Sequence, residues 1–225
     1  MSAGTISSFT AVSSTVYTAT LTPSEDATYT IDVDASVFTD TAGNNNTAAT
    51  TFSWTYDITE PEISITEGND TVEVNSEWTD AGATADDNYD GNLTSFISSS
   101  GTVDTNTVDT YTITYTVTDA AGNTSIETRT VNVVDTTIPV ITLTGDAVVT
   151  LEVGDTYTDA GATASDNYDG TITDQITTVN PVDSDTVGQY IVTYNVTDAN
   201  NNEATQVTRT VNVVDTTIPV ITLTG

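Results

Sequence analysis

Two short loop signatures carry most of the side chains in this chain that could do chemistry. Residues 79–91, TDAGATADDNYDG, return at 158–170 as TDAGATASDNYDG, and Asp119-Ala-Ala-Gly-Asn123 returns as Asp198-Ala-Asn-Asn-Asn202, each 79 residues further on. A third acidic element, Asp57-Ile-Thr-Glu60-Pro61, is answered by Asp135-Thr-Thr-Ile-Pro139. Aspartate, glutamate and asparagine offer oxygen ligands only, and a hard cation such as Ca2+ takes 6–8 of them at about 2.3–2.6 Å. One candidate set is therefore Asp57, Glu60, Asp86, Asp90, Asp119 and Asn123, with Asp87 beside Asp86. The other is Asp135, Asp166, Asp169, Asp198 and Asn202. Asp, Asn and Gly are also the residues of tight turns, so a second reading makes both loops turns with no ligand. Neither loop has the spacing of an EF-hand or of the nine-residue calcium repeat.

Other chemistries lack their residues. The chain contains no His, no Cys and no Lys, so zinc sites, redox-metal sites, disulfides, Ser-His-Asp and Cys-His arrangements and Ser-Lys pairs are all excluded. Carboxylate pairs could serve a glycosidase, but these cluster at turns, with no aromatic-lined cleft beside them. No enzymatic activity is expected. Thirty-three acidic residues against two arginines give a net charge of −31 over 225 residues. Nucleic acid and anionic membrane surfaces are excluded as partners, because phosphate binding needs cationic side chains. No apolar run approaches the ~20 residues of a membrane span. The Met-Ser-Ala-Gly start has no charged region followed by an apolar one, as a signal peptide would, and reads as an added start on a piece of a longer chain.

The elements that must position these loops are strands. Tyr190, Val192, Tyr194 and Val196 alternate with polar residues, as do Tyr111, Ile113, Tyr115 and Val117, which predicts strands with one buried and one solvated face. Strands are also expected near residues 6–11, 15–21, 28–33 and 51–56, the last with Phe52, Trp54 and Tyr56 on one face. Asp185-Thr-Val-Gly188-Gln-Tyr190 has the pattern of a tyrosine corner, with Asp109 standing where Gly188 does. Arg129 and Arg209 occupy the same place in two repeats and read as structural ion-pair partners on a last strand. Trp78 aligns with Tyr157 and reads as a packing residue.

Thr128 to Gly145 reads TRTVNVVDTTIPVITLTG, and Thr208 to Gly225 repeats it letter for letter. This string is last strand, joint and first strand, the seam between two copies of one unit. A unit of about 79 residues suits a small β-sandwich of ~7 short strands. The expected fold is all-β: tandem immunoglobulin-like β-sandwiches in an elongated array. The expected domains are 1–57, the C-terminal part of one sandwich; 58–135 and 136–215, two full repeats; and 216–225, the first strand of a following repeat.

On these strings, residues 58–215 resemble the bacterial surface immunoglobulin-like repeats with DAGATAxDNYDG and GxYxxxYxVTDxxGN signatures, related to the hyalin-repeat type. Residues 1–57 resemble another bacterial Ig-like repeat, with Phe38-Thr-Asp40-Thr-Ala-Gly-Asn44 before its last strand. The resemblance implies a secreted or cell-surface protein in which such sandwiches act as spacers, commonly in adhesins. The expected function is a spacer segment stiffened by Ca2+ at its joints. Its partners would be neighbouring repeats, with any glycan or host surface contacted by domains outside this segment. Three alternatives stay open: a glycan- or protein-binding module, a virion fibre segment, and a filament subunit that self-associates head to tail by strand exchange. The near-identity of the repeated loops favours spacing over recognition.

Overall fold

The computed structural model describes residues 4–13 and 15–223. The Met-Ser-Ala start and the last two residues of the repeated string lie outside the described residues. Contacts divide the chain into two compact units. One holds the stretches up to Asp70, Trp78–Val103 and Thr110–Val131; the other holds Thr71–Glu77, Asp104–Asp109 and the chain from Asn132 onward.

The first 60 residues form two antiparallel pairs: β1 (Gly4–Ala11) with β2 (Tyr17–Pro23), and β3 (Ala27–Ile31) with β4 (Phe52–Tyr56). All four lie within a few residues of the expected strands. Tyr29 is buried and stacks on Trp54, with ring centroids 5.6 Å apart. Phe52 points the same way as Trp54 yet is 62% exposed, so the aromatic face is covered at one end only.

The two repeats share one strand plan. In the earlier one, β5 (Glu62–Ile65), β7 (Ala83–Asp87) and β8 (Gly91–Asn92) make one sheet; β6 (Thr71–Glu73), β9 (Ser98–Ser100), β10 (Asp109–Thr118) and β11 (Thr124–Val134) make another, in the order β6-β11-β10-β9. The later repeat reproduces this with β12 (Val140–Leu143), β14 (Ala162–Asp166) and β15 (Gly170–Thr171), and with β13 (Val148–Glu152), β16 (Thr177–Val179), β17 (Gly188–Asn195) and β18 (Val207–Val214) in the order β13-β18-β17-β16. Facing side chains of its two sheets form the core: Ile141, Ala164 and Ile172 meet Val192, Tyr194, Val196 and Val211. The alternation seen in the sequence is this inward face. Among the described residues, two three-residue 3-10 turns interrupt the strands, at Thr94–Phe96 and Thr173–Gln175.

Three features go beyond the sequence reading. The opening strand of each repeat is split: β12 pairs antiparallel with β14, and the chain then crosses over so that β13 pairs parallel with β18. The Asp-Asn-Tyr-Asp-Gly stretch is a hairpin within one sheet, joining β14 to β15. Gly170 sits there at φ +68°, which only glycine adopts without strain. At the tyrosine corner, Tyr190 Oη donates to the Thr186 carbonyl at 2.9 Å, and Gly188 is not at positive φ, so Asp109 needs no special backbone at its matching place.

Both arginines are buried, Arg129 at 2% and Arg209 at 1% exposure. Arg209 pairs with Asp159, donates to the Thr144 and Gly161 carbonyls, and bonds Tyr194 Oη at 3.0 Å. Arg129 repeats this with Asp70 at 2.6 Å, Asp80 at 3.3 Å, Tyr115 and the Thr66 and Gly82 carbonyls. Each guanidinium thus ties the split opening strand to the sandwich interior. Removing one partner of a buried ion pair costs about 3–5 kcal/mol, so Arg209→Met should lower stability by about that amount in urea unfolding. A second expectation follows from the same burial. Trypsin has only Arg129 and Arg209 to cut after, so the folded chain should resist it until a repeat opens, and rapid cleavage of the native protein at either residue would refute the burial.

Candidate metal centre

Four carboxylates converge in the later unit. Asp135 follows β11, Asp166 ends β14, Asp169 lies in the hairpin before β15, and Asp198 follows β17. One oxygen of each lies within 4.8 Å of one from every other. In the earlier unit Asp57, which follows β4, Asp87, which ends β7, and Asp119, which follows β10, converge in the same way. Two unit charges about 5 Å apart repel by about 3 kcal/mol at an effective dielectric of about 20. A group of four is therefore costly without compensation.

Local hydrogen bonds supply part of it. Asp198 Oδ1 accepts from the Asn200 and Asn202 amides at 2.9 and 2.7 Å, and its Oδ2 from Asn202 Nδ2 at 2.8 Å. Asp119 is wired likewise to Gly122 and Asn123, and Asp40 to Ala42 and Asn44. Asp166 Oδ1 accepts from the Tyr168 and Asp169 amides, and Asp169 Oδ2 from the Ala199 amide at 2.8 Å, which pins the hairpin to the next loop. Asp135 differs. It is 6% exposed, and Oδ1 accepts one bond, from the Thr137 amide at 3.2 Å. Its Oδ2 is buried with no partner, as is Asp87 Oδ2 in the other cluster.

The acidities follow this wiring. Burial, then the charges of Asp166, Asp198 and Glu73, push the Asp135 carboxyl above its ordinary range. Asp57 is raised by burial and by Asp87, Asp119 and Asp26. Burial also pushes Asp119 upward, but the bonds from Asn123 outweigh it and hold the carboxyl low.

The structure sorts the candidate residues. Asp135, Asp166, Asp169 and Asp198 come together, as do Asp57 and Asp119. Glu60 and Asp86 stay outside these clusters. Glu60 is exposed, and the residue matching it in the later repeat is Ile138. Asp86 sits one residue from Asp87 on β7, so the two side chains point to opposite faces. The third carboxylate is thus Asp87, a signal already in the sequence, since the 79-residue offset carries Asp87 to Asp166 and Asp86 to Ser165. Asp90 pins the Ala120 amide at 2.6 Å, as Asp169 pins Ala199, but is not among the three converged carboxylates. Asn123 and Asn202 turn their amide nitrogens inward, donating to the Asp57 and Asp135 carbonyls at 3.3 and 3.1 Å. They act as clips. What the sequence reading missed altogether is Glu73, which accepts bonds from Thr136 and Thr137 beside Asp135.

The donor set fits a hard cation. Opposed ligands about 2.4 Å from a Ca2+ ion stand about 4.8 Å apart, and these carboxylate oxygens all lie within that distance of one another. No side-chain cation can take its place, because both arginines of the chain are engaged elsewhere.

Comparison with known proteins agrees with this strand plan. The family described as bacterial surface protein, Ig-like domain, matches residues 63–133 and 141–213, and a bacterial Ig-like domain family matches residues 1–58. The chain belongs to the bacterial surface Ig-like domain family. Hyalin of Strongylocentrotus purpuratus is 35% identical over 216 residues, covering 89% of this chain and 17% of that protein. Hyalin of Lytechinus variegatus is 39% identical over 116 residues, covering 48% of this chain and 22% of that protein. The chain thus spans about a fifth of the curated relatives it matches. A solved lipoprotein from Bacteroides thetaiotaomicron is 28% identical over 36% of this chain and 40% of its own, with a TM-score of 0.33. No helix among the described residues is long and apolar enough to cross a membrane.

A carboxyl raised by folding binds its proton more tightly in the folded chain. It contributes stability at pH below its ordinary range and loses that contribution as pH climbs through the raised value. In chelator, wild type should therefore lose stability relative to Asp135→Asn as pH rises past about 4, and the gap should level off beyond the raised value. Urea unfolding of both across the acid range reads this; a constant gap would show that Asp135 is not under repulsion.

Proposed function

We propose that this chain is a non-catalytic spacer segment of a long extracellular or cell-surface protein, and that Ca2+ bound at its joints stiffens it. The observation that carries the reading is the four-carboxylate cluster around Asp135, with an unpartnered buried oxygen and no spare side-chain cation in the chain. The surface Ig-like family and the tandem repeats support the setting. In the later cluster Asp135, Asp166, Asp169 and Asp198 would hold the ion; in the earlier one Asp57, Asp87 and Asp119. Each cluster draws one carboxylate from the strand leaving one sandwich and the others from loops of the next. A shared ion would remove the mutual repulsion and tie the joint at once.

The repeated loops differ little between copies, which favours spacing over recognition. High negative charge without exposed cations also keeps such an array soluble, and salt screens its self-repulsion.

A ligand that binds only the folded state adds about 2.7 kcal/mol at a hundred times its dissociation constant. Thermal unfolding in millimolar Ca2+ should therefore start several degrees higher than in chelator, and calorimetric titration should show two sites. Asp135→Asn should remove one of them. Identical melting curves in Ca2+ and chelator, with no heat of binding, would overturn the reading.

A further inference from the structure

Glu73 is the last residue of β6, which pairs in parallel with the end of β11, Glu73 opposite Val134. Its carboxylate takes bonds from both residues after Asp135: the Thr136 amide at 2.9 Å and hydroxyl at 2.7 Å, and the Thr137 amide at 3.2 Å and hydroxyl at 2.8 Å. Glu152, the last residue of β13, does the same 79 residues on. It accepts from the Thr216 amide and hydroxyl at 2.6 and 2.8 Å and from both Thr217 donors at 3.0 Å. Asp26 plays the part at the first joint, accepting from the Ile58 amide at 2.8 Å and the Thr59 hydroxyl. Thus an acidic residue of the sandwich being left grips the two residues that follow each joint aspartate.

The clamp at Glu152 is informative. Thr216 and Thr217, the two residues after Asp215, are gripped in full by this one carboxylate. The grip is made wholly by the end of β13 and the linker that follows β18. It belongs to the sandwich that the chain is leaving.

We infer that Glu73, and by repetition Asp26 and Glu152, are positioning residues that set the joint before any ion arrives. β11 holds the backbone up to Val134, and Glu73 holds it from Thr136. Asp135 lies between two fixed points, so its carboxylate is presented to Asp166, Asp169 and Asp198 without a search. Glu73 is not itself in the carboxylate cluster. Its effect on ion binding rests on the Ca2+ reading above; its effect on the ion-free joint does not.

The test uses the full chain, which lacks cysteine, with spin labels on Glu127→Cys and Thr178→Cys, both exposed, and trypsin resistance as the check on folding. Four forms are compared: the parent, Glu73→Ala, the double variant Thr136→Val/Thr137→Val, and Asp174→Asn, which removes one charge at an exposed place in the later repeat. In chelator, Glu73→Ala should broaden the distance distribution between the labels, while Asp174→Asn should match the parent. By calorimetry, Glu73→Ala should weaken Ca2+ binding at this joint by at least about tenfold, the usual scale for removing a residue that orients a metal ligand. The double variant keeps the Glu73 charge but removes both hydroxyl donors, so it should weaken binding in the same direction. Weakening by Glu73→Ala alone would mean that its charge and not its grip matters, and would overturn the positioning role. An unchanged distribution for Glu73→Ala in chelator would overturn the clamp. If the parent binds no Ca2+ but Glu73→Ala still broadens the distribution, the ion reading fails and the clamp stands.

Discussion

Each of the two arginines in this chain is spent inside a sandwich, and everything else about its electrostatics depends on that. Arg129 and Arg209 neutralise Asp70, Asp80 and Asp159 and satisfy carbonyls that the split opening strands would otherwise bury unpaired. The remaining carboxylates have only amides, hydroxyls and solvent ions to turn to. Most find amides and hydroxyls: Asp119 and Asp198 fold their own loops around themselves, and Glu73 and Glu152 collect threonines. Asp135 and Asp87 each keep one oxygen with no such partner. Local bonding is exhausted there, and the calcium proposal rests on those places and not on the acidic surface generally.

Much of the fold could be read from the chain. The period-two pattern at Tyr190–Val196 and Tyr111–Val117 identified the inward face, because a residue on a strand is buried or solvated by parity. The repeated string predicted where the joints fall, and the grouping of linker and loop carboxylates came from the expected immunoglobulin-like sandwich, not from spacing alone. Finer choices were not. Asp86 and Asp87 are adjacent acids on one strand, and only the register against β5 and β8 separates them. Asn123 and Asn202 offer a donor and an acceptor alike, and composition cannot say which end turns inward. The grip of Glu73 on Thr136 joins residues 63 apart, through a parallel pairing that no local pattern announces. The crossover from β12 to β13 was hidden for the same reason.

The three joints also differ in instructive ways. The clamp is an aspartate at the first and a glutamate at the other two, and the first linker carries isoleucine where the others carry threonine. Asp26 accordingly grips one amide and one hydroxyl, and receives Asn88 Nδ2 at 3.3 Å as well. The later cluster has four acids against three, and its linker aspartate is the more buried. The same device is thus built more fully between sandwiches of one kind than where two kinds meet.

The identical seam has a consequence for inheritance. Glu73 grips a Thr-Thr pair inside the first copy of the 18-residue string, and Glu152 grips the same pair inside the second. The grip that a departing sandwich's glutamate places on its linker therefore falls on the same two threonines at both seams. Excising or duplicating one whole repeat by recombination between the two copies would leave a clamp, a linker aspartate and an opening strand in register. Array length could change in whole-repeat steps while the chemistry of each joint stayed constant.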